Sequence, residues 1–144
     1  MDLDIIIPVY YGNVNELEES IKKQLTFFEQ ALKKYDWIIT ISINGKNADK
    51  ILKLSKYLSN KYKKVRYLYT EIQGKGSGVI NGWLNSKASI RTYMDVDLAV
   101  DLGCFLNLIQ KIEEGFDISI GSRYHKDSKV KRSLKRKTIS IVYN

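Results

Sequence analysis

Two aspartates separated by one residue are the side chains best suited to chemistry. Asp95 and Asp97 follow Ile90 to Met94, which the pattern predicts to be a strand. Residues two apart in extended backbone point to the same side, so both carboxylates can face one cation. Two oxygen ligands that leave coordination positions open suit Mg²⁺ or Mn²⁺ holding a ligand's phosphates. In the alternative interpretation one aspartate caps the next helix, but Asp101 is already placed for that task.

A glycine-rich stretch, Gly74-Lys75-Gly76-Ser77-Gly78, is the second candidate site. Backbone N–H groups at the start of a helix attract anions, which makes Lys75 a candidate phosphate contact. The stretch is neither the dinucleotide fingerprint, which follows a first strand, nor the ATP-binding pattern G-x-x-x-x-G-K-[ST]. We predict a loop over residues 74–78 whose backbone closely approaches a ligand or a neighbouring chain. A simple flexible turn is the competing interpretation.

Both candidates belong to a regular alternation of strands and helices. Apolar periodicity predicts five strands, with a helix after each of the first four. The strands are predicted at residues 3–9, 37–43, 64–70, 90–94 and 116–120. This alternation predicts an α/β fold, with a mostly parallel sheet and helices on both faces. Ligands of such sheets bind at the carboxyl ends of the strands, which is where the candidate residues fall.

Composition excludes several classes of protein. The chain has 144 residues, of which 44% are hydrophobic and 28% charged, as in one globular domain. No apolar run approaches the about 20 residues that span a membrane, and the acidic start Met1 to Asp4 is unlike a secretory signal. We therefore expect a cytoplasmic protein. One His and one Cys exclude a Cys/His zinc site, and Cys104, beside Phe105, is expected in the core.

The net charge of +8 is concentrated in one segment. Residues 123–144 hold eight Lys and Arg and one Asp, and so account for +7 of the total. Such a segment suits phosphates of a diphosphate, an anionic lipid surface or a nucleic acid. A nucleic-acid-binding module using residues 123–137 is therefore one alternative, although no recognised DNA or RNA motif supports it. A solvated charged surface is the other.

Five short motifs, taken in order, resemble a family 2 glycosyltransferase of the GT-A fold. They are Ile5-Ile6-Ile7-Pro8-Val9-Tyr10, Asn44-Gly45, Gly74-Lys75-Gly76, Asp95-Val96-Asp97-Leu98 and Gly121-Ser122-Arg123. The stretch from Asp95 to Arg123 is similar to that of dolichyl- or polyprenyl-phosphate sugar synthases. The resemblance covers essentially the whole chain. It implies a Rossmann-like nucleotide-sugar-binding domain over residues 1–122 and, over 123–144, a basic segment that starts an incomplete acceptor-binding part.

The resemblance also implies an activity and its catalytic residues. The activity is inverting transfer of a sugar from a UDP- or GDP-sugar to a polyprenyl-phosphate-type acceptor, or donor binding by a fragment of such an enzyme. Asp95 and Asp97 match the D-x-D motif that binds Mg²⁺ or Mn²⁺ and the donor diphosphate. Arg123 falls where the mobile loop of the family begins, near the donor and acceptor phosphates.

Other matching positions line the nucleoside pocket of the family. Pro8 and Tyr10 match its first-strand motif, and Asn44 falls near the base and ribose. The residue before Asn44 is Ile43, where the family usually has a first carboxylate, and the segment after Tyr10 is longer than usual, which displaces Glu16 from the acidic position. A sugar nucleotidyltransferase is a further alternative, but its G-x-G-T-R-L signature is absent after the first strand.

The family continues beyond the position of Asn144 into acceptor-binding and membrane-associating elements. The chain therefore resembles a truncated member. We expect the apolar tail, Thr138 to Tyr143, to be disordered or buried against another copy of the chain in a homo-oligomer. The basic segment is expected to allow peripheral contact with the cytoplasmic face of a membrane.

Overall fold

Strands and helices alternate strictly along the chain in the computed structural model, which describes residues 1–122. The strands are β1 (Leu3–Val9), β2 (Trp37–Asn44), β3 (Val65–Thr70) and β4 (Ile90–Tyr93). The helices are α1 (Val14–Ala31), α2 (Asp49–Lys61), α3 (Lys75–Leu84) and α4 (Leu102–Glu113), and a 3-10 turn (Tyr11–Asn13) precedes α1. The predictions made for Arg123, the basic segment and the apolar tail lie outside the described residues.

The four strands form one parallel sheet in the order β3-β2-β1-β4. Every residue of β1 is buried, as expected for an interior parallel strand covered on both faces. The chain moves from β1 to β3 in one direction and then returns past β1 to β4. Because crossovers are right-handed, this reversal places α3 on the face opposite α1 and α2. The predicted fold class, with helices on both faces, is confirmed.

One face of the sheet forms the main hydrophobic core. The odd-numbered residues of β1 and β2 point to this face because side chains alternate along a strand. They pack against the apolar stripes of α1, α2 and α4. The largest fully buried members include Leu3, Ile5, Ile7, Leu17, Ile21, Phe28, Leu32, Ile39, Ile41, Ile43 and Ile51.

The opposite face is polar where it meets α3. Asp4 is fully buried, and its carboxylate accepts hydrogen bonds from Thr40 Oγ1 at 2.6 Å and from Arg66 Nη2 at 2.6 Å. Arg66 Nε also donates to Thr40 Oγ1, so the buried charge is paired and hydrogen-bonded. The same Nη2 donates to the carbonyl of Asn85, directly after α3, at 3.3 Å. This network ties the end of α3 to the sheet.

The prediction of a fifth strand at residues 116–120 is wrong. Phe116, Ile118 and Ile120 are exposed, and these residues have no strand partner within the described part of the chain. The alternating pattern is that of a strand, but a strand needs a neighbour to pair with. The Phe116 N–H instead donates to the Lys111 carbonyl, and Gly115, at φ +100°, completes a Schellman end to α4.

Two smaller expectations are corrected as well. Cys104 is exposed rather than in the core. The buried stripe of α4 runs through Phe105 and Ile109, and Cys104, one residue before Phe105, points about 100° away from that stripe. The glycine-rich stretch is not a loop throughout, since α3 already begins at Lys75. The predicted cap of α4 is confirmed: Asp101 Oδ1 accepts from Gly103 N at 2.8 Å.

Replacing Gly82 by alanine is expected to destabilise the domain. A Cβ at this position would lie 2.4 Å from Cγ2 of Ile6, which is fully buried, so α3 or the sheet must shift. Overpacking of this kind costs about 1–3 kcal/mol, which urea denaturation can measure. Gly76→Ala, in the same helix, is the control, because its Cβ meets nothing within 4 Å and alanine favours the helix. Equal stability of the two variants would contradict the close approach of α3 to β1.

Candidate functional site

A cavity of about 680 Å³ lies at the carboxyl end of the sheet. Four segments line it, one at or after the carboxyl end of each of the four strands. Pro8, Tyr10, Tyr11, Asn13 and Glu16 come from the end of β1 and beyond, Asn44 to Asn47 from the end of β2, Gln73 to Lys75 from the segment after β3, and Asp95 to Asp97 from the segment after β4. A cavity of this volume is in the range of small-molecule sites.

The cavity lies where the strand order reverses. From β1 the chain moves to β2 and β3 on one side and then returns to β4 on the other side of β1, so the reversal falls between the neighbouring strands β1 and β4. Ligands of such sheets bind in the crevice at this point. The Ile6 carbonyl accepts from Met94 N, so the backbone N–H and C=O groups of the even-numbered residues of β1 point toward β4. β4 stops opposite Ile6, and Pro8, the next residue on that side, has no N–H to donate. The sheet therefore opens at Pro8 without leaving a backbone N–H unpaired.

The predicted site residues within the described part of the chain all line this cavity. They come from all four strand ends: Pro8, Tyr10, Asn44, Lys75, Asp95 and Asp97. Arg123 lies outside the described residues. The rule that ligands bind at the carboxyl ends of parallel strands is sufficient to bring these six residues together, although the longest separation in sequence is nearly ninety residues.

The two aspartates are accessible in the cavity and differ in their partners. Oδ1 of Asp95 lies 2.5 Å from Nζ of Lys75, and the Asp95 side chain is 37% exposed. Oδ1 of Asp97 accepts from Ala99 N at 3.0 Å, which closes a turn. Val96, between them, is buried in the core. Both carboxylates therefore line the cavity. The extended backbone predicted for this segment is not found, because β4 ends at Tyr93 and the pair lies in a turn closed from Leu98 N to the Asp95 carbonyl.

The turn after the acidic pair is held in an unusual backbone conformation. Leu98 has φ +52°, a left-handed conformation that costs about 1–2 kcal/mol for a residue with a side chain. Its N–H points back to the Asp95 carbonyl at 3.4 Å. The chain then reaches Asp101 and the start of α4. The acidic pair is thus held between the end of β4 and a strained turn, and strain of this kind is often stored at functional sites.

The Asn44 side chain is buried and holds two backbone segments together below the cavity. Nδ2 donates to the Val9 carbonyl at 2.9 Å, and Oδ1 accepts from Gly74 N at 3.2 Å. Gly74 has φ +116°, a conformation that favours glycine. The end of β1 and the start of α3 are therefore fixed relative to each other by one amide group. This structural role of Asn44 was not foreseen from the sequence.

The start of α3 faces the cavity without a side-chain cap. Gly74 is the N-cap residue and provides no side chain. The Ser77 N–H donates to the Gly74 carbonyl, whereas the N–H groups of Lys75 and Gly76 are left for water or a ligand. Lys75, the first helical residue, adds a positive charge at the same end of the helix, and its side chain is 56% exposed. The combined effect of the helix dipole and the ammonium group favours an anion at this wall.

Further residues of the cavity were missed. Lys46, Asn47 and Gln73 line it, and each could have been found because each follows a strand end. Glu16 also reaches the cavity, although the segment after Tyr10 is longer than in the resembling family. The 3-10 turn, closed by a hydrogen bond from Tyr10 N to Asn13 Oδ1 at 3.0 Å, folds that extra length back toward the cavity.

The acidic pair does not form a complete metal site by itself. No group of three or more His, Cys, Asp or Glu side chains placed to hold a metal ion occurs among residues 1–122. Asp95 and Asp97 nevertheless supply the hard oxygen donors that Mg²⁺ and Mn²⁺ prefer. They fit a cation that takes its other ligands from a bound molecule and from water.

A parallel α/β sheet with its cavity at the strand-order reversal is typical of proteins that bind nucleotides. Comparison with known proteins identifies the family. Residues 4–144 match the family description "Glycosyl transferase family 2", so the chain belongs to this family. Membership favours a glycosyltransferase over the nucleic-acid-binding module and the sugar nucleotidyltransferase considered as alternatives.

Two curated relatives support the assignment. The chain is 31% identical over 141 residues to a protein of Pyrococcus furiosus named dolichol-phosphate mannosyltransferase, covering 97% of this chain and 38% of that protein. It is 20% identical over 146 residues to glycosyltransferase AglD of Haloferax volcanii, covering 100% of this chain and 23% of that protein. The chain therefore spans well under half the length of these relatives. Within residues 1–122, no helix is both long and apolar enough to cross a membrane.

Replacing Asn44 is expected to loosen the start of α3. In Asn44→Leu the Gly74 N–H and the Val9 carbonyl lose their buried partner, which costs about 1–3 kcal/mol for each unsatisfied group. Amide hydrogen exchange should show faster exchange at Gly74.

The variant Asn44→Asp separates the effects of the two hydrogen bonds, the one to Val9 and the one from Gly74. Its carboxylate still accepts from Gly74 N but cannot donate to the Val9 carbonyl, so protection of Gly74 should persist while the free energy of unfolding falls. Unchanged exchange at Gly74 in the leucine variant would show that Asn44 does not hold α3.

Proposed function

We propose that the cavity binds the donor of a sugar transfer, a UDP- or GDP-sugar, together with Mg²⁺ or Mn²⁺ at Asp95 and Asp97. The acceptor is a polyprenyl phosphate or a similar lipid. The observation that carries this proposal is the meeting of an accessible acidic pair with the positive start of α3 in one cavity of a family 2 domain. A nucleoside diphosphate bound with a divalent cation needs both signs of charge side by side.

The diphosphate is assigned to the wall formed by α3 and the acidic pair. The first N–H groups of α3 and the Lys75 ammonium attract its oxygens, and Asp95 and Asp97 would hold the cation beside them. When bound, Mg²⁺ or Mn²⁺ supplies a Lewis acid that stabilises the negative charge on the departing diphosphate. Asp95 and Asp97 act here as ligands. They are catalytic because this charge develops on the diphosphate as its bond to the sugar breaks.

The nucleoside is assigned to the wall formed by the ends of β1 and β2. Pro8 and Tyr10 line this side, and Tyr10 is 49% exposed, which leaves its ring accessible to a base or ribose. Asn44 acts on the nucleoside side by holding the backbone that shapes the pocket. Glu16 and Lys46 add one charge of each sign, and both can hydrogen-bond a base or ribose.

The proposed acceptor is supported by chemistry and by the similarity to the protein named dolichol-phosphate mannosyltransferase. A phosphate acceptor is already anionic and needs little help from a general base, whereas a sugar hydroxyl needs one. In a single displacement, an oxygen of the acceptor phosphate attacks the anomeric carbon of the sugar as the nucleoside diphosphate departs. The configuration of that carbon is inverted. Arg123 and the basic segment beyond it are proposed to meet the acceptor phosphate and to allow contact with the cytoplasmic face of a membrane.

The decisive experiment is titration calorimetry with UDP-glucose and GDP-mannose, each with and without Mn²⁺. We expect binding of one of the two donors that depends on Mn²⁺. Asp95→Asn and Asp97→Asn should each weaken binding at least about tenfold, because each removes a charged ligand of the cation.

Asp101→Asn is the matched control. It also removes one carboxylate from this segment, but asparagine caps a helix as well as aspartate does, so donor affinity should stay the same. Donor binding without Mn²⁺, or equal binding by all three variants, would contradict the assignment of the acidic pair.

A further inference from the structure

The contact between Lys75 and Asp95 gives the acidic pair a positive partner from the chain itself. Nζ of Lys75 lies 2.5 Å from Oδ1 of Asp95 and 5.6 Å from the centre of the Tyr93 ring. Both side chains are partly exposed, at 56% and 37%. The ammonium group is therefore close to the position that a cation bound to Asp95 would take, and two cations cannot share it at low cost.

The fold supports this contact from two directions. Lys75 is the first residue of α3, and the preceding residue, Gly74, is fixed by Asn44. Asp95 is placed by the end of β4, where Met94 N donates to the Ile6 carbonyl. Lys75 can turn from Asp95 to the open cavity by rotating its own side chain, with no movement of α3 or β4. The ion pair can therefore open without disturbing the fold.

We propose that Lys75 is a positioning residue that neutralises Asp95 in the free protein and is exchanged for the divalent cation when a diphosphate binds. The diphosphate offers the Lys75 ammonium a new anionic partner, and Asp95 is then released to the cation. This inference rests on the proposed function and adds to it a coupling between the two ligands. The cation alone binds weakly because it competes with Lys75, and it binds well when the diphosphate is present.

Coupling of this kind is reciprocal, so the cation and the diphosphate each raise the affinity for the other by the same factor. Direct contact of the cation with phosphate oxygens already supplies part of that factor. The part that Lys75 adds is limited by the strength of a partly exposed ion pair, which changes an equilibrium constant by about two- to fivefold. This added part is what a Lys75 variant should lose.

The test is an electron paramagnetic resonance titration of Mn²⁺ with the 144-residue chain, alone and with saturating UDP or GDP. Lys75→Met is expected to bind Mn²⁺ alone about threefold more tightly than the unmodified chain and to bind the nucleoside diphosphate alone more weakly. The coupling factor, the ratio of the Mn²⁺ dissociation constants without and with the diphosphate, should fall by about two- to fivefold.

Two control variants separate exchange from simple charge effects. Lys46→Met removes the same charge from the same cavity, and among residues 1–122 Lys46 forms no ion pair with Asp95, so its affinity for Mn²⁺ alone should change by less than about 1.5-fold. Lys75→Arg retains a cation and should preserve most of the coupling.

The outcomes distinguish this inference from the function on which it rests. If the unmodified chain binds neither Mn²⁺ nor a nucleoside diphosphate, the proposed function fails and the exchange fails with it. If the unmodified chain binds both but Lys75→Met and Lys46→Met bind Mn²⁺ alone equally well, the proposed function stands and the exchange is overturned. An unchanged affinity of Lys75→Met for the diphosphate alone would also overturn it.

Discussion

Because β1 is paired in parallel with β2 on one side and with β4 on the other, the ends of three strands meet at one edge of the sheet. The pairing requires β1 to be apolar on both faces, and it is buried throughout. It also requires the chain to reverse direction between β3 and β4, which opens the crevice. The position of the cavity is therefore a consequence of strand pairing and not of any single site residue.

Helix α3 carries the positive wall of this cavity and is fixed at both ends. Asn44 holds the residue before it, and Arg66 holds the carbonyl of Asn85 after it. Between these points Gly82 lets the helix approach β1 closely. Asp4, which pairs with Arg66, is fully buried, whereas the Arg66 side chain is partly exposed. Removing Arg66 would leave the Asp4 carboxylate without its charged partner, and loss of a buried charge's partner is strongly destabilising.

The cavity brings together groups of opposite charge that satisfy one another in the free protein. Lys75 contacts Asp95, and Asp97 accepts from the backbone of its own turn. A ligand that contains both an anion and a cation can replace these contacts with contacts of the same kind, whereas a simple anion or cation would leave one partner unpaired. This requirement links the charge pattern of the site to the nucleotide-sugar donor that we propose for this family 2 domain.

The sequence by itself determined the order of strands and helices through residue 113 and the fold class. It also placed the six described site residues at strand ends, because side-chain periodicity is a local property and parallel strands carry ligands at one edge. Only the tertiary structure decided which groups touch. The sequence suggested Lys75 as a phosphate contact and Asn44 as a nucleoside contact, whereas the structure shows Lys75 on Asp95 and Asn44 between Val9 and Gly74.

The difference between local patterns and tertiary contacts also explains two predictions that were wrong. Residues 116–120 alternate as a strand does, yet a strand forms only where another segment supplies hydrogen-bonding partners, and the alternation cannot show whether one is present. Cys104 was expected inside from its apolar neighbour, but the direction in which a helix faces the sheet depends on how the whole helix packs. Local patterns specify backbone conformation, while contacts between distant residues depend on where the packed elements finally lie.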